Sequence, residues 1–328
     1  MVPCRTRGAP GTVEVEERIW MTGAFPQRRA LTAALDLAVR APSVYHRPPW
    51  RWRVDSRAVR LHLDPTCMHR DAVIGCGAAM HHLRISLAAL GWSTIVDRFP
   101  TPADPTHLAS LEPVPHRPTG SELALHGAIS RRGGDDRFGS RPLPPGYLGL
   151  VSERAATLGA TVHRPADAAR DRLVAAIELA AHHHSIPTPS NRPGGLPRDI
   201  ERTPAIENHH ATTDSTELLI LGTRTDDPRA HLDAGEALSA VLLTATNIGL
   251  DTRILTEPMA HEALRTEIRT HVLGRRDHPQ AIIRIGRPTA VAALDCQGTS
   301  VTDPGTTAAP RGRYAPYAEP MARNGIPR

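Results

Sequence analysis

The chain has 328 residues, 40% of them hydrophobic and only 3% aromatic, so its core must be filled mainly by aliphatic side chains. This length suits one large domain or two ordinary ones. The 39 basic residues are all Arg and the formal net charge is +5, which attracts phosphates of any kind. No aromatic-interleaved basic stripe or zinc-finger spacing accompanies this charge, so a nucleic-acid partner is not predicted.

Membrane and export signals are not visible in the sequence. It contains no run of about 18 apolar residues, which a membrane-spanning helix needs. The N-terminus does not follow the charged and then apolar pattern of a signal peptide. The four Cys residues are scattered and form no CxxC pair, which is typical of free structural thiols. We therefore expect a cytoplasmic protein without a membrane partner.

Regular structure is first predicted in residues 29–118. Residues 1–28 have no hydrophobic periodicity and are predicted to be a disordered extension. Helical and alternating apolar spacings place the elements that follow. In chain order these are a helix at 31–39, strands at 51–54 and 59–63, a helix at 71–90 and a strand at 93–98. The Pro-rich stretch 100–118 is predicted to be a long crossing connection.

Residues 119–290 repeat this alternation loosely. Helices are predicted at 122–132, 147–158, 170–183 and 231–248, and strands at 161–163, 217–223, 253–255 and 281–285. Residues 184–215 are rich in Pro, Gly, Asn and His and are predicted to be a mobile loop. Residues 291–328 are predicted to be an extended C-terminal tail. Two successive units of helices and short strands indicate an α+β fold with mixed sheets covered by helices.

Six segments carry short motifs that share one order and spacing with a known family. They are Arg40–Trp50, Gly75–Ala79, Ile129–Phe138, Ala234–Thr256, Pro279–Pro288 and Pro310–Arg313. The first reads RAPSVYHRPPW and the third reads ISRRGGDDRF. Together they resemble the Acg-type branch of the nitroreductase superfamily, whose members bind FMN and look like two fused nitroreductase subunits.

The resemblance implies a nitroreductase-like fold of two fused, pseudo-symmetric halves with mixed or antiparallel sheets covered by helices. It implies one FMN per chain, because the first helix, Leu31-Thr-Ala-Ala-Leu35, has no Arg pair like Arg131-Arg132. The chain would act as a monomeric pseudo-dimer or as a homodimer. Its partners would be NAD(P)H, as a candidate reductant, and a small-molecule electron acceptor.

The resemblance also assigns individual residues to the FMN. The planar fork of Arg can bind the doubly charged phosphate through two hydrogen bonds. The ring needs donors at its carbonyls and acceptors at its N–H groups. The assigned residues are Pro42, Ser43 and His46 for the ring, Arg131 and Arg132 for the ribityl chain and phosphate, Leu255, Thr256 and Glu257 over the ring near its reactive nitrogen, and Arg311 and Arg313 over the phosphate.

These residues also have interpretations that need no ligand. Ser43 can cap the turn after the first helix. Arg131 and Arg132 suit the negative end of a helix dipole. Arg311 and Arg313 can be solvated residues of a polar tail.

No metal site is predicted. His182–His184 and His209–His210 invite a metal-site interpretation, but adjacent His residues on a helix point in different directions. No Cys or carboxylate repeats at ligand spacing beside them. Gly75-Cys-Gly77 is too short for a dinucleotide fingerprint.

The chain departs from the family motif at three positions: His46 replaces Asn, Pro48 replaces Gln, and Asp135 replaces Arg. The resemblance implies an FMN-dependent oxidoreductase that passes electrons from NAD(P)H through the flavin to a nitro- or quinone-type acceptor. No side chain is assigned a catalytic acid or base role. Two alternatives stay open: a non-catalytic protein that binds or sequesters FMN during redox stress, and a flavin-free member of the same fold.

Overall fold

The computed structural model describes residues 13–15, 25–43, 48–133, 138–185 and 216–289. The strands are β1 (Val13–Val15), β2 (Trp50–Val54), β3 (Val59–Leu63), β4 (Trp92–Arg98), β5 (His107–Pro115), β6 (Phe138–Gly139), β7 (Thr161–His163), β8 (Glu217–Thr223), β9 (Asp251–Leu255) and β10 (His278–Pro288). The helices are α1 (Arg28–Ala38), α2 (Arg70–Ala89), α3 (Gly120–Arg131), α4 (Tyr147–Ala156), α5 (Asp167–Ser185), α6 (Pro228–Asn247), α7 (Glu257–Ala260) and α8 (Glu262–Glu267). A 3-10 turn lies at Pro65–Cys67 and a π-helical turn at Ile268–Val272.

The two sheets have corresponding strand orders. In the first sheet the order is β1-β2-β3-β5-β4, and each pair is antiparallel except the parallel pair β1–β2. In the second sheet β8 lies between β7 and β10. Strand β9 pairs with the other edge of β10, and β6 pairs with the end of β10. The series β2-β3-β5-β4 therefore corresponds to β7-β8-β10-β9. The prediction of an α+β fold with two fused, pseudo-symmetric halves is confirmed.

Helices α2 and α6 follow the corresponding strands β3 and β8 and form the centre of the molecule. Both are buried on nearly all sides and rich in Ala, Leu and Gly, which is typical of core helices. Asp227 caps the start of helix α6, and its carboxylate accepts a hydrogen bond from the backbone N–H of Ala230 at 2.9 Å. The helices end at Gly91 and Gly249, whose φ angles of +91° and +74° suit Gly.

Helix α2 is long and apolar enough to span a membrane by composition alone. However, 83% of its most apolar window is buried inside the protein. It packs between the first sheet, α1 and α6. The helix therefore serves as the core helix of the first half.

The helices cross at Gly77 on α2 and Gly235 on α6. A Cβ atom on Gly77 would lie 2.1 Å from the carbonyl oxygen of Leu232, and one on Gly235 would lie 2.0 Å from that of Ile74. No side chain fits at either position without separating the helices. The crossing thus brings the two backbones into direct contact and fixes the distance between the halves.

Charged side chains of the two halves meet beside this crossing. Glu236 of α6 is fully buried, and its carboxylate accepts hydrogen bonds from Arg84 on α2 and Arg98 at the end of β4. Arg98 also pairs with Asp233, with 3.1 Å between Nε and Oδ1. Removing one partner of a buried pair leaves a charge uncompensated and costs about 3–5 kcal/mol. The network therefore favours one relative placement of the halves.

Two predictions for the first half are wrong. The stretch 100–118 is not a connection, because β5 runs through it between β3 and β4. Its prolines are tolerated since β3 pairs only with the first part of β5, so Pro113 and Pro115 lie where the strand has β4 alone as a neighbour. The extension 1–28 includes β1, which pairs with β2, and the first residue of α1.

The other predicted helices and strands are confirmed, with ends that shift by up to three residues. The elements β6, α7, α8 and the π-helical turn were not predicted, because each is too short to display a periodicity. Residues 186–215, which form nearly all of the predicted mobile loop, and the tail 291–328 lie outside the described residues.

Several histidines of the first half are buried. His62 of β3 stacks on His107 of β5 with ring centroids 4.5 Å apart. Burial, with a further contribution from His107, lowers the pKa of His62 to about 4. Burial also lowers the pKa of His82 on α2 to about 4. Both side chains are therefore neutral in the folded protein at pH 7.

We expect the free energy of unfolding to fall as the pH drops from about 6.5 to about 4. In this window the unfolded chain protonates its histidines, whereas His62 and His82 stay neutral in the folded state, so linkage lowers the stability. Urea titrations across this pH range measure the effect. His62→Gln should make the free energy of unfolding depend less steeply on pH. An unchanged slope would contradict the lowered pKa of His62.

We expect Gly235→Ala to lower the free energy of unfolding by about 3 kcal/mol or more, because the added methyl overlaps the backbone of α2. Gly149→Ala, in α4, is the matched control, since its Cβ would meet nothing within 4 Å and Ala favours a helix by about 0.5–1 kcal/mol. Urea unfolding compares the two variants. Equal stability of both would show that the crossing is not close-packed.

Candidate functional site

An open cleft of about 450 Å³ lies between the halves, beside the crossing of α2 and α6. One wall comes from the turn after α1 and the first turns of α2. The other comes from the end of α3, from α6, from β9 with the residues that follow it, and from the start of β10. The described lining residues are Pro42, Ser43, Asp71, Ile74, Gly75, Arg132, Gly133, Leu238, Thr252, Arg253, Ile254, Leu255, Thr256, Met259, Gln280 and Ala281.

The first wall holds two residues predicted to face a flavin ring, Pro42 and Ser43. They lie against α2 at Gly75, where an added Cβ would be 3.7 Å from Ser43 Oγ and 3.9 Å from the carbonyl oxygen of Pro42. Because Gly75 has no side chain, this wall stays flat. His46, the third residue predicted for the ring, lies outside the described residues.

The second wall is an edge of β9. Five consecutive residues from Thr252 to Thr256 line the cleft. Alternate side chains of a strand point to opposite faces, so an uninterrupted run means that the edge of the strand, with its backbone N–H and C=O groups, faces the cleft. Leu255 and Thr256, which the resemblance assigns to the ring, are among these five residues. Glu257 does not line the cleft; it begins α7.

The two adjacent Arg residues at the end of α3 have different surroundings. Arg132 lines the cleft, and its Nε is buried without a hydrogen-bond partner among the described residues. Burial lowers the pKa of its guanidinium, which stays charged because Arg starts from a very high pKa. Arg131 is exposed and lies over Gly127, with Nη1 2.8 Å from where a Cβ would stand. Arg132 therefore lines the cleft, whereas Arg131 does not.

Related proteins share most of this chain. The protein Rv3131 of Mycobacterium tuberculosis, named as an NAD(P)H nitroreductase, is 34% identical over 298 residues, which cover 80% of this chain and 86% of the relative. The protein acg of the same organism, also named as an NAD(P)H nitroreductase, is 31% identical over 301 residues, which cover 78% and 88%. The chain belongs to the Acg-type branch of the nitroreductase superfamily. No family model matches it.

Solved nitroreductases are more distant from this Acg-type chain. The FMN-dependent nitroreductase NfnB of Mycobacterium smegmatis, solved with NADPH, is 16% identical, covers 56% of this chain and 100% of its own, and has a TM-score of 0.36. A protein of Anabaena variabilis described as a nitroreductase is 9% identical, covers 71% and 69%, and has a TM-score of 0.42.

A buried polar network holds Gln280 at the floor of the cleft in this Acg-type protein. Its Oε1 accepts a hydrogen bond from Arg70 at 2.9 Å, and its Nε2 donates to Thr223 Oγ1 at 2.7 Å and to Asp226 Oδ1 at 3.0 Å. Asp226 also accepts a hydrogen bond from His231 Nε2 at 2.8 Å. That bond, followed by those from Gln280 and the nearby charges, holds the pKa of Asp226 well below its usual range. The network ties the start of β10 to the start of α2.

The sequence did not reveal that the central helices line the cleft through Asp71, Ile74 and Leu238. A signal for the duplication was nevertheless present. The segments Gly77–Gly91 and Gly235–Gly249 have the same spacing of 14 residues, and a Pro follows each after nine more. Aligning them would have identified α2 and α6 as equivalent helices.

The structure confirms this alignment at the crossing. The two segments are offset by 158 residues, and at this separation His81 Nδ1 and Ser239 Oγ lie 2.8 Å apart. Gly77 and Gly235, which are also equivalent, face each other one turn earlier. Equivalent residues therefore meet at a pseudo-twofold axis between the halves.

Several predicted residues lie outside the part of the chain that the structure describes. They are His46, Asp135, Arg311 and Arg313. Within the described ranges, no three His, Cys, Asp or Glu side chains are grouped to hold a metal ion.

We expect Arg132→Gln to leave the cofactor-free protein at least as stable as the wild type, with a gain of about 1 kcal/mol, because it removes a buried Nε–H that lacks a hydrogen-bond partner among the described residues. Arg131→Gln removes the exposed neighbour and should change the stability by less than about 0.5 kcal/mol. Urea unfolding without ligand compares both variants with the wild type. A loss of more than about 1 kcal/mol in Arg132→Gln would mean that Arg132 has a structural partner.

Proposed function

We propose that this chain binds one FMN in the cleft between its halves and uses it as an NAD(P)H-dependent oxidoreductase for small acceptors of the nitroaromatic or quinone type. The observation that carries the proposal is Arg132, a cation at the cleft wall whose Nε is buried without a hydrogen-bond partner among the described residues. A buried guanidinium N–H without an acceptor is costly, and the FMN phosphate would supply an acceptor. The names of the relatives support the same activity.

The dimensions of the cleft fit this cofactor. Its volume of about 450 Å³ lies within the range of about 300–1,000 Å³ for small-molecule sites. Burial lowers the pKa of His82, and Arg132 lies close enough to contribute, so Arg132 stands beside that part of α2. Asp71 lies 11 residues earlier on α2, about 16 Å along the helix axis. The cleft thus combines the cation of Arg132 with the flat wall formed by Pro42 and Ser43.

The chain's own groups would hold and orient the cofactor. Arg132 would bind the phosphate through its planar fork. Pro42 and Ser43 would lie against the ring, and the β9 edge at Leu255 and Thr256 would offer backbone donors and acceptors. Apolar lining residues would exclude water from the ring. Bound flavin supplies the redox chemistry, accepting a hydride from NAD(P)H and passing two electrons to the acceptor.

One cofactor per chain is proposed because the counterpart of the cleft is filled. At the 158-residue offset, Gly75 corresponds to Asp233 and Thr256 corresponds to Arg98. The cleft has a Gly and a Thr at these places, whereas the counterpart has an ion pair with 3.1 Å between Arg98 Nε and Asp233 Oδ1. Arg98 is also hydrogen-bonded to the buried Glu236. Side chains thus occupy the space that a second ring would need.

The reason given from the sequence for a single FMN needs correction. It compared α1 with α3, but α1 precedes β2 and α4 precedes β7, so the topology makes α1 the counterpart of α4. Helix α3 has no counterpart among the described residues. Arg132, at the end of α3, therefore has no equivalent in the other half among the described residues. This also supports one FMN per chain.

We expect the purified protein to be yellow, to bind one FMN per chain, and to gain thermal stability when FMN is added. Arg132→Gln should weaken FMN binding by on the order of tenfold to a hundredfold, since hydrogen bonds to charged groups contribute about 1.5–3 kcal/mol. Arg131→Gln should leave the affinity within about twofold, because an exposed pair to a ligand contributes little. Fluorescence titration of FMN measures the affinities of the wild type and of both variants.

The response to NAD(P)H separates the functions. Bleaching of the flavin absorbance by NADH or NADPH, followed by recovery with a quinone, would support the oxidoreductase. A yellow protein whose flavin does not bleach would instead favour FMN sequestration. A colourless protein with no thermal shift on adding FMN would contradict flavin binding altogether.

A further inference from the structure

The cleft contains one carboxylate among the described residues that line it, that of Asp71. This residue lies in the first turn of α2, one turn before Gly75, and its side chain is 26% exposed. An acidic residue in the first turn of a helix is favourable in itself. An acidic residue would have this effect on any face of the helix. Asp71, however, lies on the face that lines the cleft together with Pro42 and Ser43.

Asp71 is connected through Arg70 to a wider group of charged residues. Arg70 pairs with Asp71, with 2.5 Å between Nη1 and Oδ1, but it also donates to Gln280 and lies 4.0 Å from Asp226. Arg265 faces Arg70. On the other side of Asp226, His231 and His278 lie 2.8 Å and 3.9 Å from its carboxylate. Of these charged and titratable groups, Asp71 alone lines the cleft, which is also lined by the cations Arg132 and Arg253. Asp71 is therefore the one carboxylate among the described lining residues.

We propose that Asp71 lowers the reduction potential of the bound flavin and so makes its reduced form a stronger reductant. This inference rests on the proposed binding of FMN. A hydride, which is two electrons and one proton, leaves C4 of NAD(P)H and joins flavin N5, the nicotinamide leaves as NAD(P)⁺, and the flavin gains one negative charge. A nearby carboxylate raises the free energy of the more negative form. Reduction is therefore disfavoured, and electron delivery to acceptors that are difficult to reduce is favoured.

The test is the midpoint potential of the FMN-loaded protein at pH 8, where histidines of ordinary pKa are neutral. Asp71→Asn keeps the shape of the side chain and removes its charge. We expect a more positive potential and, equivalently, a ratio of reduced to oxidised FMN dissociation constants that falls by on the order of tenfold. Asp71→Ser is a second neutral variant and should shift the potential in the same direction.

Two controls isolate the charge at this position. Asp71→Glu keeps the charge and should stay near the wild-type potential. Asp36→Asn removes an exposed carboxylate from α1, outside the cleft lining, and should leave the potential unchanged. A merely structural role of Asp71 would alter FMN affinity in both redox states equally and leave the potential in place.

The outcomes are distinguishable from those of the proposed function. A yellow Asp71→Asn protein with the wild-type potential would overturn this inference and leave FMN binding intact. A wild-type protein that binds no FMN would refute the proposed function first, before any variant is compared, and this inference with it. A positive shift in both neutral variants, absent from both controls, would establish Asp71 as the residue that tunes the flavin.

Discussion

The backbones of α2 and α6 touch at Gly77 and Gly235, where a Cβ on either residue would come within 2.1 Å of a carbonyl oxygen on the other helix. This contact sets the distance between the halves, because both helices are buried and each carries its own sheet. The cleft lies beside the crossing, so its two walls are placed by the same contact. Only at this separation do the flat wall of one half and the strand edge of the other face each other across the cleft.

The pseudo-symmetry of the halves is broken in the places that matter for binding. On one side of the axis the chain has Gly75 and Thr256, which leave an open cleft. On the other side Asp233 and Arg98 close the equivalent space with an ion pair, and the buried Glu236 secures Arg98 further. A duplicated scaffold can thus keep one site and use the other as a polar contact between its halves.

The electrostatics of the cleft differ along its length. Arg132 presents a cation whose Nε has no partner among the described residues, whereas Asp71 presents a carboxylate backed by a satisfied network of Arg70, Gln280 and Asp226. The first arrangement favours an anionic ligand group and the second disfavours added negative charge. Binding of FMN and control of its reduction would therefore depend on opposite charges at different points of one cleft.

Much of the fold could be predicted because long helices and buried strands have clear periodicity, as in α6 and β8. Strand β5 could not, because Pro113 and Pro115 are typical of a loop and are tolerated only where β3 no longer pairs with the strand. Four residues that the sequence assigned to the ring, Pro42, Ser43, Leu255 and Thr256, line the cleft, and in each case the position of the backbone decides this. Side-chain orientation could not be predicted: Arg131 and Arg132 are adjacent in the sequence, yet only Arg132 lines the cleft. The contribution of Asp71 depends on which face of α2 meets the cleft, which spacing alone does not specify.

The most direct test of this account is a crystal structure of the protein grown with FMN. The account predicts one flavin per chain, with its phosphate on Arg132 and its ring between the Ser43 turn and the edge of β9, while Arg98 and Asp233 remain paired. A flavin bound elsewhere, or a second flavin that displaces Arg98 from Asp233, would contradict it.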